Sequence, residues 1–524
     1  MTSRNLARAG LVVTAAFLAS RILGWVRLIV IGNVFGARAD LDAYFAAFRI
    51  PDLIYQLAAA GALASALIPV LAGLLHNGED ARAWRVTSSV INIMLIALVV
   101  FSLTMAVFAP VIVPFLVPGF DVVNTELTIR LTRIMLLSPI LLALGAVASS
   151  VLNTQGRFGA AAVAPLLYNG LIIICALALS PFMGIDALAV GVVLGSFAHF
   201  AVQLPSLRNH FHYDLSLDLR DSATRQALLL MAPRAIGLGV NQVTFVVNTT
   251  LATGLGVGAV VAYNIAFNVL QIPIGVIGVP LGVVLLPSMS RAIAAGQVRE
   301  FGSLVQQSLR LLLYVIIWIT AVGIVLRRET VELLFGGGFD EQALALTANA
   351  LLFFLLGLPA NCLNVVLARA FYSGRDTRTP VAVAVLSVVV NVVVSVVTVG
   401  SMGLAGLALG IALGGWTDTV ILSAILWRRT HAIDVRSIIS GTLVFSAGSA
   451  LSALGALATI RVVAEMVGES PGRFVLAFEM AGAAAVAGAI YLLYSRLMRI
   501  PEMTRVLGLI RSALPHRSAP DRSE

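Results

Sequence analysis

The chain has 524 residues, 59% of them hydrophobic and 11% charged, with a formal net charge of +9. A mean hydropathy of +0.99 excludes an ordinary soluble globular protein, and no polar stretch is long enough for a large soluble domain. Every basic residue is arginine, and the excess falls in short polar connections, which points to membrane orientation rather than nucleic-acid binding.

The N-terminal MTSRNLARAG is a basic flank that runs into an apolar stretch without a small-residue cleavage site, so a retained first helix is expected. Apolar windows then recur along the whole chain. They predict fourteen transmembrane helices, at about 10–34, 41–75, 86–117, 127–153, 160–181, 184–206, 226–252, 256–288, 303–326, 342–372, 380–400, 402–427, 439–462 and 474–497. The fold class is thus an all-α polytopic membrane protein. Several windows exceed the roughly 20 residues needed to cross, so these helices must tilt or bend.

Arginine counting sets the orientation. With the N-terminus inside, 22 arginines fall on the cytoplasmic side and five (Arg38, Arg327, Arg328, Arg461, Arg473) on the far side. Both termini are therefore expected in the cytoplasm. The chain also repeats itself. IPDLIYQLAAAGALASALIP (50–69) is echoed by IPIGVIGVPLGVVLLP (272–287), and NTQGRFGAAAVAPLLYNG (153–170) by FYSGRDTRTPVAVAVLSVVVNV (371–392). Offsets close to 220 residues predict two six-helix lobes, 1–207 and 226–428, related by a pseudo-two-fold along the membrane normal. The loop 208–225 joins them. In it Leu215, Leu217 and Leu219 alternate with polar residues, so it either lies on the membrane surface or only connects; the repeat favours the connector. Two extra helices (429–498) follow, then a basic tail (499–524) expected to be disordered.

Nothing in the sequence supports an enzyme: it has no Gly-x-Ser-x-Gly and no Walker loop. Cys175 and Cys362 read as small core residues, and His210 with His212 is a weak metal pair. The chemistry concentrates between Ser20 and Pro69, where Arg21, Arg27, Asp42, Arg49 and Asp52 lie within apolar sequence. An arginine at membrane depth costs roughly 2.5–3.5 kcal/mol, so such residues face a bundle interior or watery cavity. Asp42, Arg49 and Gln56 recur at intervals of seven and share one helical stripe, which Pro51 interrupts. Arg21 and Arg27 stand about 120° apart around a helix and share a face only if Gly24 bends it. One reading is a structural Arg27–Asp42 ion pair. The favoured reading is an anion site, because three arginines exceed the local acids if Asp52 faces away. Guanidinium forks suit phosphate, and a lipid-linked pyrophosphate fits.

In the second half Asn264, Asn268 and Gln271 recur at helical spacing, either lining a cavity or bonding between helices. Asn391 and Asp418 are candidate residues for a coupling ion, Na⁺ or H⁺; no other cofactor is expected.

At SRILGWVR, FGA…DAYFAAFRIPD and GALASALIPVLAG, and again at VLNTQGRF, GVPLGVVLLPSMSR and FYSGRDTRTPV, the chain resembles the MurJ (MviN) lipid II flippases of the multidrug/oligosaccharidyl-lipid/polysaccharide exporter superfamily. The resemblance covers nearly the whole chain. It implies fourteen helices in two lobes plus two, and alternating access. It also implies transfer of the undecaprenyl-pyrophosphate-linked peptidoglycan precursor from the inner to the outer leaflet of the bacterial inner membrane. Arg21, Arg27 and Asp42 match charged cavity residues of that family. The chain departs from the family pattern at Leu28 and Ala60, where acids are usual. It departs also at Tyr55 or Gln56, where arginine is usual, and at Asn268 and Gln271, which replace an arginine and a glutamate. Asn391 matches the family's sodium site, but Ser395 one turn on is not an acid. The implied partners are the lipid-linked oligosaccharide, membrane lipids and cell-wall synthesis proteins, with no nucleic acid, around a monomer. The competing readings are an exporter of another polyprenyl-linked saccharide or of a cationic drug, and a non-transporting cell-wall scaffold. The arginine excess argues against the drug.

Overall fold

The computed structural model of the chain describes residues 3–58, 62–208, 211–467 and 472–513, with side chains except at 3–14, 17, 58, 62–66, 232–238, 240–241, 467 and 509–513. Residue 60 and His210 thus lie outside the described residues. Helices occupy almost all of the described chain. In order they are α1 (Ser3–Phe35), α2 (Ala39–Ala58), α3 (Ala62–His76), α4 (Asp80–Leu116), α5 (Val122–Met135), α6 (Ser138–Thr154), α7 (Phe158–Ala178), α8 (Ser180–Met183), α9 (Asp186–Ala201), α10 (Leu204–Leu207), α11 (Ser222–Thr253) and α12 (Ala259–Pro273). A π-helical turn, Ile274–Gly278, leads into α13 (Val279–Ala294), α14 (Val298–Val325), α15 (Arg327–Phe335), α16 (Glu341–Leu356), α17 (Leu358–Ser373), α18 (Arg378–Met402), α19 (Leu404–Thr430), α20 (Val435–Val467), α21 (Arg473–Leu497) and α22 (Pro501–Ala513).

Among the described residues 11 helical stretches are long and apolar enough to cross a membrane, or 12 with α16 and α17 counted as one span bent by 42°. The fourteen-span reading needs two more crossings. The pair α2 and α3 and the 32-residue α11 occupy those places in the chain. Two of the long windows break beside a proline. Pro139 and Pro359, each near the start of a helix, lack an N–H for the preceding turn, and the chain leaves α5 and α16 just before them. Pro51, by contrast, is carried inside an unbroken α2.

The same backbone turns recur along the chain. Gly78 and Gly296 both take a left-handed φ, +75° and +70°, after α3 and α13. Gly184 (φ 57°, ψ −136°) and Gly403 (φ 57°, ψ −132°) share a conformation that only glycine adopts cheaply. After α6 the left-handed residue is Gly156, and after α17 it is Arg375. The hydrogen bonds agree: Arg157 N–H donates to the Leu152 carbonyl, and Asp376 N–H to the Phe371 carbonyl. The echoed QGR and SGR segments are therefore equivalent one residue out of register with their shared Gly-Arg letters.

The chain divides into two compact units, residues 1–265 with 334–346, and residues 266–333 with 347–524. In the first, α7 packs against α1 and α9, and α11 against α2, α3 and α4. Asp221 caps α11 by accepting from the Ala223 and Thr224 N–H groups, and it pairs with Arg82 at 2.8 Å. That hydrogen-bonded pair holds the Asp221 carboxyl below its ordinary 3.8. In the second unit α18 packs along α19, and α20 along α21 and α14. Asp376 caps the entry to α18 through the Thr379 N–H and hydroxyl, and it binds Arg429 at 2.6 Å. Those bonds hold its carboxyl well below the usual range.

The tail departs from expectation. Residues 501–513 form a helix rather than a disordered segment. Glu502 is buried at 1% exposure and accepts from Arg310 Nε at 2.6 Å, while Arg310 also donates to the Ser437 carbonyl and hydroxyl. A buried ion pair needs such extra bonds to offset desolvation, and its geometry holds α22 against α14.

Candidate functional site

The charged residues of α1 and α2 converge inside the first unit. The continuous α1 runs through Gly24 without a break, so Arg21 and Arg27 leave it about 120° apart. Arg27 stacks its guanidinium over the Tyr168 ring at 5.7 Å and hydrogen-bonds the Tyr168 hydroxyl. Arg49, on α2, lies over the Phe245 ring at 5.3 Å. Its Nε donates to Thr249 Oγ1 at 3.0 Å, and its terminal nitrogen donates to Asn264 Oδ1. Asn264 in turn donates to the Val260 carbonyl at 2.7 Å.

Asp52 faces these arginines rather than away from them. It lies in electrostatic reach of Arg49 first and Arg27 next, and Gln56 hydrogen-bonds it. Gln56 thus reaches the site through Asp52. Both arginines lie in the electrostatic reach of this carboxylate, and Tyr44, Tyr55 and Tyr168 stand in the same group. Guanidinium stacked on an aromatic face keeps its in-plane donors available, which suits an anion.

Asp42 has partners other than Arg27, against the alternative reading of a structural ion pair. It is buried at 1% exposure, and its two oxygens accept from the Gly258 N–H at 2.5 Å and the Val261 N–H at 2.7 Å. These are orphan donors at the N-terminus of α12, where a carboxylate also meets the positive end of the helix dipole. Gly258 has φ +83°, and a Cβ there would meet the Ala37 carbonyl. A second clamp stands at the end of α1. Asn33 donates to the Leu334 carbonyl at 2.7 Å and accepts from the Gly337 N–H at 3.1 Å. Together these bonds pin the C-terminal end of α1 and the N-terminal end of α2 to α12 and to residues 334–337.

Asn268 and Gln271 belong to the second unit, as do Asn391 and Asp418. Asn391 is 3% exposed, and a Cβ on Gly410 would meet its backbone and the Ser395 hydroxyl. Asp418 lies two turns along α19 from Gly410, with one buried oxygen that has no hydrogen-bond partner among the described residues. No group of three or more His, Cys, Asp or Glu that could hold a metal ion occurs among the described residues.

Sequence reasoning passed over Tyr168, Phe245 and Thr249. Tyr168-Asn169 and Asn248-Thr249-Thr250 are polar runs inside apolar windows, and that interruption was the available signal.

The comparisons fit this geometry. A chain similar to this one is a "Probable lipid II flippase MurJ" of Rhizobium tropici, 31% identical over 462 residues, covering 85% of this chain and 86% of that one. A "Lipid II flippase MurJ" of Burkholderia cenocepacia is 33% identical over 437 residues, with 81% and 84% covered. Among solved structures, "Lipid II flippase MurJ, inward closed conformation" shares the fold at a TM-score of 0.78 and 22% identity, over 93% of this chain and 98% of that one. An inward-facing multidrug resistance MATE family transporter of the MOP superfamily shares it at 0.66 and 16% identity, over 79% and 95%. The family profile described as Lipid II flippase MurJ matches residues 31–476, from the end of α1 into α21. With that span matched and the arginine cluster placed on α1 and α2, the chain belongs to the lipid II flippase MurJ family.

Proposed function

We propose that this protein moves the undecaprenyl-pyrophosphate-linked peptidoglycan precursor, lipid II, from the inner to the outer leaflet of the bacterial cytoplasmic membrane by alternating access. The observation that carries the reading is Arg27 held on the Tyr168 ring and Arg49 on the Phe245 ring, with Asp52 in electrostatic reach of both. Arg27 and Arg49 contact the pyrophosphate, with Arg21 on the approach from α1. Gln56 sets Asp52, and Asp42 positions α12. The clamps at Asp42 and Asn33 include a few defined hydrogen bonds, which suits a closure with two discrete arrangements. The recurring turns support a six-plus-six repeat. Expression of this gene in a bacterium depleted of its lipid II flippase tests the reading. Growth and restored lipid II delivery are expected, and failure at normal membrane abundance overturns it. An exporter of another polyprenyl-linked saccharide is the second reading, favoured by Gln56 bonding to Asp52 where the family carries arginine. It predicts membrane abundance without rescue.

The same proposal places both termini in the cytoplasm, supported by the 22-to-5 arginine bias. In a variant lacking Cys175 and Cys362, single cysteines at 77 or 79 should react only with reagent supplied from inside, and those at 183 or 401 only from outside. Labelling of 77 or 79 from the periplasm rejects the orientation.

A further inference from the structure

The polar connection between α10 and α11 covers an apolar cavity of about 940 Å³. Ile91 of α4, Leu144 and Val151 of α6, Phe200 of α9 and Phe211 of the connector line it. Arg208 is the one charged residue in this lining among the described residues, and it is exposed. The space is open on one side and lies at the upper end of ligand-pocket volumes, roughly 300–1,000 Å³, so it has room for an occupant that enters from outside.

The connector is held there deliberately. Ser88 and Ser89 are fully buried in an apolar stretch of α4. Ser88 accepts from the Asp214 N–H at 3.0 Å, and Ser89 from the Asp218 N–H at 3.1 Å. Asn92 donates to the Asp214 and Ser216 carbonyls and accepts from the Tyr213 hydroxyl at 2.5 Å. With its polar edge bound to α4, this extended segment turns Leu215, Leu217 and Leu219 outward at 85%, 56% and 60% exposure. A row of exposed leucines on a polar connector fits the membrane interface and places the cavity rim at head-group level. Both readings of this loop are compatible with that arrangement: it connects, and its leucines are exposed.

We propose that this cavity binds one anionic phospholipid, with an acyl chain against α4, α6 and α9 and its phosphate on Arg208. The chain supplies apolar contact that the cavity walls otherwise lack, and the guanidinium supplies charge complementarity with a phosphodiester. The bound lipid braces the connector from beneath and fastens this face of the first unit to the cytoplasmic leaflet.

The test uses the full chain in nanodiscs and phosphatidylglycerol carrying a photoactivatable acyl chain. Cross-links should map to peptides 144–151 and 204–213. Ala148→Phe and Leu144→Trp, each filling the cavity from a different point, should lose them. Arg208→Gln, an exposed change that leaves the fold intact, should lower labelling by phosphatidylglycerol about tenfold, the loss of one charge-assisted contact. Labelling by the phosphatidylcholine analogue should be weaker in the native chain and unchanged by Arg208→Gln. Equal labelling by the two lipids in the native chain overturns the proposal. So does persistent labelling of these peptides in the filled variants, or labelling by a polyprenyl phosphate probe alone.

Discussion

Alanine at Arg27 should abolish lipid II transport while leaving the protein in the membrane at near-normal abundance. The guanidinium has five donors, and the described contacts commit it only to the face and hydroxyl of Tyr168. Losing one bidentate phosphate contact lowers affinity roughly 10- to 100-fold, at about 1.5–3 kcal/mol per charge-assisted bond. Arg27→Lys should rescue poorly, because an ammonium has no planar fork. Arg49 differs. Its donors already serve Thr249 and Asn264, so Arg49→Ala should lower both transport and abundance. The discriminating variant is Arg27→Ala with Asp52→Asn. If Arg27 only neutralises Asp52, the double substitution restores transport. If it holds the substrate, the double variant stays inactive. The measurement is growth of a flippase-depleted strain beside membrane abundance of each variant. Full growth of Arg27→Ala would remove the anion site.

Asp42→Ala should destabilise the protein by about 3 kcal/mol, since it strips two buried N–H groups at the start of α12 of their acceptor. Asp42→Asn keeps one carbonyl acceptor and should fall between. A thermal melt of the purified protein reads this directly. A pin of this kind predicts a lower melting temperature together with lost transport. If Asp42 instead touched substrate, Asp42→Ala would melt at the native temperature and only transport would fail. The alternative reading of a structural Arg27–Asp42 ion pair, in which Asp42→Ala would rescue Arg27→Ala, has no structural basis, because the Asp42 carboxylate is given to α12.

Much of this protein was legible in its letters because the information is local. A membrane span needs about 20 apolar residues, and a window of that size shows it. Breaks at Pro139 and Pro359 follow from a missing N–H. The repeat is visible in Gly-Arg and Ile-Pro echoes, although the turns align one residue away from the letters, because the left-handed position is Gly156 in one copy and Arg375 in the other. The costly arginines of α1 and α2 announced themselves by their surroundings.

What tertiary structure alone decided is who meets whom. Asp42 finds its partners 216 and 219 residues on, and Arg49 finds Thr249 and Asn264 at 200 and 215. No local period encodes such pairs. A buried carboxylate has the same sequence signature whether it meets a guanidinium, a ligand or the N–H groups of a helix end, since each compensates its desolvation. The same holds for α22. A short basic segment with three prolines from 501 onward reads as disordered, yet Glu502 inserts beside Arg310 and the helix forms on that support. Short helices gain most of their stability from the surface they dock on, and only the folded chain supplies that surface.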